Sequence, residues 1–96
     1  YKESAKMNRE RAVIYFTMQL KNGKKREVDL DVPLTITANE LVVGLNSAYH
    51  LGINTEDIKH CFLKAENPIA LLRGNKTLAD YKVMNGTRIT FVEGEQ

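Results

Sequence analysis

The segment running from Val13 through Asn22-Gly23 to Val32 constrains this chain more than any other. Ile14, Phe16, Met18 and Leu20 alternate with Tyr15, Thr17 and Gln19. Apolar residues at every second position, with aromatic and β-branched side chains among them, predict a strand that buries one face and wets the other. Lys21-Asn22-Gly23-Lys24 follows, and Asn-Gly is the dipeptide a tight hairpin favours, because both residues accept positive φ. The return strand is expected over Arg26 to Val32, with Val28, Leu30 and Val32 on one face and Glu27, Asp29 and Asp31 on the other. Pro33 should stop it, since proline lacks the ladder donor. A hairpin with one apolar face is marginal alone and needs something to lie against.

The cover is encoded next. Thr37-Ala38-Asn39-Glu40 spells a capping box, in which the Thr37 hydroxyl accepts from the Glu40 backbone and the Glu40 side chain reaches back. A helix is therefore expected over about 38–50, with Leu41, Val42, Leu45, Ala48 and Tyr49 forming one apolar stripe. Gly52 is placed to take the left-handed position after it, with Ile53 folding back. Asn54 to Lys59 reads as a polar connection, His60 to Lys64 as a third strand and Ile69 to Leu72 as a short fourth. Thr77 to Tyr81 suits a single 3-10 turn near 78–81, and Thr87 to Val92 is the last strand, with Ile89 and Phe91 on one face. A lone helix after a hairpin must cover one face of a sheet. The first and last strands, separated by a long crossover, can pair in parallel. The class is α+β and the architecture a β-grasp, with a mixed four- to five-stranded sheet over 13–92. Residues 1–12 are polar and aperiodic and are expected to be disordered. Met7 is a candidate natural start, and 93–96 reads as a short tail.

Composition narrows the chemistry. Ninety-six residues make one small domain, too little chain for a core and a deep walled active site. A net charge of +2 does not make the concentrated basic stripe of a nucleic-acid binder. Lys24-Lys25-Arg26, beside Lys21, sits at the hairpin tip, where charge discourages edge-to-edge pairing. No apolar run is long enough to span a membrane, and no signal-peptide pattern opens the sequence. A single cysteine, Cys61, allows no internal disulfide. His60 and Cys61 would point to opposite faces of a strand, so they form no nucleophile–base pair, and Cys61 reads as a small buried hydrophobe. His50 near the helix end suits the helix dipole. Two histidines and one cysteine match no common zinc spacing. Gly74-Asn75-Lys76-Thr77 fails as a phosphate-binding loop, because glycine does not directly precede the lysine. The carboxylates of Glu27, Asp29 and Asp31 lack a calcium-loop frame and read as a solvated face. No cofactor and no catalytic residue is expected.

Thr77-Leu78-Ala79-Asp80-Tyr81 is similar to the segment before the last strand of ubiquitin. Leu78 would plug the core edge, Asp80 would satisfy local backbone donors, and Tyr81 would pack its ring while its hydroxyl finds a carbonyl. Asp29-Leu30-Asp31-Val32-Pro33, the helix entry at Leu34 to Leu41, and Leu78 through Gly86 resemble a narrower group, the YukD/EsaB family of small bacterial ubiquitin-like proteins of type VII (WXG100, or Ess) secretion systems. The resemblance implies a cytoplasmic, non-enzymatic accessory protein. It would work through contacts with protein components of the secretion machinery, as a monomer or weak homodimer.

Two features bear on how such a fold would act. Conjugation needs a slim glycine tail, whereas Glu93-Gly94-Glu95-Gln96 is acidic and bulky, so the reading favours docking over conjugation. Tyr15, Thr17, Phe62 and Val92 are expected on the sheet face away from the helix, the face through which ubiquitin-like modules are recognised. The alternatives are a ubiquitin-like modifier, or an interaction domain of a larger protein such as a membrane subunit of the secretion channel.

Overall fold

The computed structural model describes residues 10–93. Its strands are β1 (Arg11–Gln19), β2 (Lys25–Pro33), β3 (Leu63–Glu66), β4 (Ala70–Leu72) and β5 (Arg88–Val92). Its helix is α1 (Ala38–Tyr49), and a 3-10 helix spans Thr55–His60. The strands form one five-stranded sheet in the order β2-β1-β5-β3-β4. β1 is antiparallel to β2 and parallel to β5, while β3 is antiparallel to both β4 and β5. This is the mixed β-grasp sheet that the order of elements predicts.

Alternation sets the core. Ala12, Ile14, Phe16 and Met18 of β1 are buried, as are Leu63 and Ala65 of β3, Leu72 of β4, and Ile89 and Phe91 of β5. α1 lays Ala38, Leu41, Val42 and Leu45 on them. Burying each large apolar side chain is worth about 1.5–3 kcal/mol. The Phe16 ring meets Tyr49 of α1 with centroids 5.7 Å apart. β1 begins at Arg11, inside the segment expected to be disordered, because Ala12 pairs with Val32 and is buried in the core. The rest of that segment, residues 1–9, lies outside the described residues.

The hairpin tip differs from the simplest expectation. Only Gly23 takes positive φ, and Leu20 N–H donates to Lys24 O at 2.9 Å, which closes a three-residue loop. Such a loop needs its left-handed residue last, where Gly23 stands. Pro33 is the last residue of β2 and does not precede its end, because its nitrogen faces away from β1 and no ladder bond is lost.

Both capping-box bonds form. Glu40 N–H donates to Thr37 Oγ1 at 3.1 Å, and Thr37 N–H donates to Glu40 Oε1 at 2.9 Å. The left-handed residue directly after α1 is His50, at φ 53, and Gly52 adopts positive φ further along the exit loop. Asn46 explains how the loop is held. Its side chain accepts from Ile53 N–H at 2.9 Å and donates to Ile53 O at 3.2 Å.

The third strand starts later than its alternation suggests. Asn54 caps the 3-10 helix by accepting from Glu56 N–H, and Cys61 N–H closes its end on Ile58 O at 3.0 Å. His60 is therefore helical and β3 opens at Leu63. The 77–83 segment forms a tight turn. Asp80 N–H donates to Thr77 Oγ1 at 3.1 Å, Tyr81 N–H to Thr77 O at 3.2 Å, and the Tyr81 hydroxyl to Arg73 O at 2.6 Å. Leu78 is fully buried beneath it.

Candidate functional site

The sheet face opposite α1 is built by register. Thr17 of β1 stands opposite Glu27 of β2 on one side and Thr90 of β5 on the other. Thr90 pairs with Lys64 of β3, which pairs with Leu71 of β4. One straight row, Glu27-Thr17-Thr90-Lys64-Leu71, thus crosses all five strands. The neighbouring row runs Asp29-Tyr15-Arg88-Glu66, and a third holds Lys25, Gln19 and Val92. Because successive side chains alternate, none of these residues shares a face with the buried ones between them.

Three of the four residues expected on this face lie on it, one in each of three successive rows. Tyr15 is 44% exposed, and Thr17 and Val92 are half-buried. Phe62, also half-buried, precedes β3 by one residue. It lies outside the β3–β5 pairing, which runs from Lys64 to Glu66. Leu63, its neighbour, is fully buried in the core. Two further apolar residues went unremarked in the sequence. Leu71 is 50% exposed on the outer row, and Ile69, before β4, is 90% exposed. The signal was present: Leu72 has to pair with Leu63 inside, which turns Leu71 outward.

The face is divided chemically. β2 contributes Glu27, Asp29 and Asp31, and Tyr15, Thr17 and Arg88 join Glu27 and Asp29 around a shallow depression of about 310 Å³. Thr17 Oγ1 donates to Glu27 Oε2 at 3.4 Å, and Arg11 pairs with Asp31 at 3.1 Å. Both contacts are solvent-exposed, so each contributes little to stability. The β3–β4 side carries Leu71 on β4, with Val92 of β5 on the same face. No described element covers either half.

A second concavity, of about 450 Å³, lies where α1 exits, with Leu51, Asn54, Cys61 and Phe91 in its wall. It has the residues of a reactive site without the geometry. Cys61 is 4% exposed, and its thiol donates to Asn54 O and Asp57 O, each at 3.5 Å. Burial, and then the Asp57 carboxylate, push its pKa up, so the nucleophilic thiolate is disfavoured. His60 Nδ1 instead pairs with Asp57 Oδ1 at 2.8 Å. Cys61 and His60 fail to form a pair because the helical turn gives each its own partner, not because they alternate on a strand. Among the described residues, no group of three potential ligands could hold a metal ion, and no helix is long and apolar enough to cross a membrane.

Comparison with known proteins agrees with this geometry. Similar solved structures are ubiquitin-like domains. That of mouse tubulin-specific chaperone e has TM-score 0.61 at 14% identity, covering 90% of this chain and 91% of its own. That of tubulin-binding cofactor B has TM-score 0.61 at 18% identity, covering 88% and 92%. A de novo design based on ubiquitin has TM-score 0.54 at 16% identity, covering 88% and 93%. At such identities the likeness is one of fold. No curated protein matches the sequence significantly. The profile described as WXG100 protein secretion system (Wss), protein YukD, matches residues 16–91. That span runs from within β1 to the penultimate residue of β5, and the chain belongs to the YukD family of ubiquitin-like proteins.

Proposed function

We propose that this protein is a non-enzymatic accessory component of a bacterial WXG100 (type VII) secretion system, acting in the cytoplasm by docking partner proteins on the outer sheet face. The observation that carries the reading is the exposure of Tyr15 and Leu71 on the outer sheet face, with half-buried Val92 on the same face, on a chain of the YukD family. Exposed apolar residues that converge on one face of a small domain mark interaction sites. Burial of the Cys61 thiol disfavours its use as a nucleophile.

Site-specific photo-crosslinking tests this in cells. A photoreactive residue at Leu71 or Val92 should yield crosslinks to proteins of the secretion system, identified by mass spectrometry. The same residue at Val43, exposed on α1, should not. The unirradiated lane of the same denaturing gel tests conjugation: docking gives a single band there, and a ladder of heavier species would replace this reading with that of a modifier.

A further inference from the structure

We propose that the free edge of β2 is a second binding site, which takes an extended partner segment alternating basic and aliphatic residues. The argument starts from hydrogen-bond parity. Tyr15 N–H donates to Thr87 O at 2.9 Å, Gly86 N–H to Val13 O at 2.9 Å and Glu93 N–H to Gln19 O at 2.8 Å. The odd-numbered residues of β1 therefore turn their backbone groups toward β5, and the even-numbered ones face β2. Their partners Val28, Leu30 and Val32 face back. The N–H and C=O of Glu27 and Asp29 consequently point away from the sheet, and no described residue bonds to them.

This is the long edge of the sheet. β2 has nine residues, whereas β4 at the other edge has three. Such an edge is a template for another strand unless it is blocked. One end is blocked here. Arg11 Nε holds Asp31 Oδ1 at 3.1 Å, and its Nη2 donates to Asp31 O at 3.3 Å. Glu27 and Asp29 are left open.

Their side chains choose the occupant. A strand pairing with β2 sets its own side chains beside those opposite, on the same face. Positions facing Glu27 and Asp29 meet carboxylates and call for lysine or arginine. The alternate positions meet Val28 and Leu30, which are half-buried on the core edge and call for aliphatic groups. A second copy of this chain is disfavoured, because edge-to-edge pairing of two β2 strands opposes carboxylate to carboxylate. The acidic strip thus guards against self-pairing and selects a basic partner. This site is separate from the Leu71–Val92 patch, so either can fail without the other.

The test uses a capped peptide alternating lysine with valine, as long as β2, and a control with glutamate in place of lysine. Both are titrated into the protein while amide exchange is followed by NMR. The lysine peptide should slow exchange at Glu27 and Asp29 and bind about tenfold or more tightly than the control. Added salt should weaken it. Asp29→Lys or Glu27→Lys, both at exposed positions, should shift preference toward the glutamate peptide. Equal binding of the two peptides, or protection confined to residues other than Glu27 and Asp29, would overturn the proposal, as would unslowed exchange at saturating lysine peptide.

Discussion

Phe16→Ala is expected to lower the stability of this domain by about 3–5 kcal/mol. Phe16 is 0% exposed and lies at the middle of β1, between β2 and β5. Its ring meets Tyr49, so it couples the sheet to the one helix that covers it. Removing it costs the transfer energy of the ring and leaves a cavity that two flanking strands, held in register, cannot close. A domain of this size is stable by only about 5–15 kcal/mol, so the variant should sit close to unfolding at ambient temperature. Urea unfolding followed by circular dichroism gives the answer. A midpoint within error of the parent would show that the core does not depend on this contact.

Thr87→Val should cost about 1–3 kcal/mol although it is nearly isosteric. Thr87 is 0% exposed, and its hydroxyl donates to Asn67 O at 2.7 Å and accepts from Met84 N–H at 3.0 Å. One side chain thereby ties the β3–β4 turn to the loop that leads into β5. Valine fills the space but leaves Asn67 O and Met84 N–H, in bonds that are part-buried, without their partner. Thr87→Ser retains both bonds and should recover much of the loss in the same urea experiment. Equal stability of the valine and parent proteins would mean that water satisfies both groups.

What was legible in the sequence follows from which forces are local. The hairpin, the capping box and the core side of β1 were readable because period-two alternation and a reciprocal side-chain cap are encoded within a few residues. The order of elements then limited the sheet to few topologies. The start of β3 was not readable in the same way. Cys61 and Leu63 are both buried, so they alternate as a strand would, yet Cys61 follows a 3-10 turn capped from Asn54. The left-handed exit of α1 fell on His50, in a loop that Asn46 clamps through two bonds to Ile53 that glycine placement does not reveal. Thr87 looked like an ordinary strand opener, and its buried hydroxyl depends on residues 20 positions away. On the outer face, Tyr15 and Thr17 followed from the hairpin alone. Leu71 required the β3–β4 register, which no single segment carries. The readings of Gly94, Glu95 and Gln96 lie outside the described residues.

Secretion by cells that carry Leu71→Glu together with Val92→Lys, in place of the parent protein, is the most direct test of the docking account. Neither residue is in the buried core, and the double variant should keep the parent's NMR fold. With the fold intact, the account predicts that export of WXG100 substrates falls about tenfold or more, as expected when charge is placed in the centre of an apolar interface. Val43→Lys, on the exposed side of α1, should leave export unchanged. Parental export from a folded Leu71→Glu, Val92→Lys protein would contradict the account.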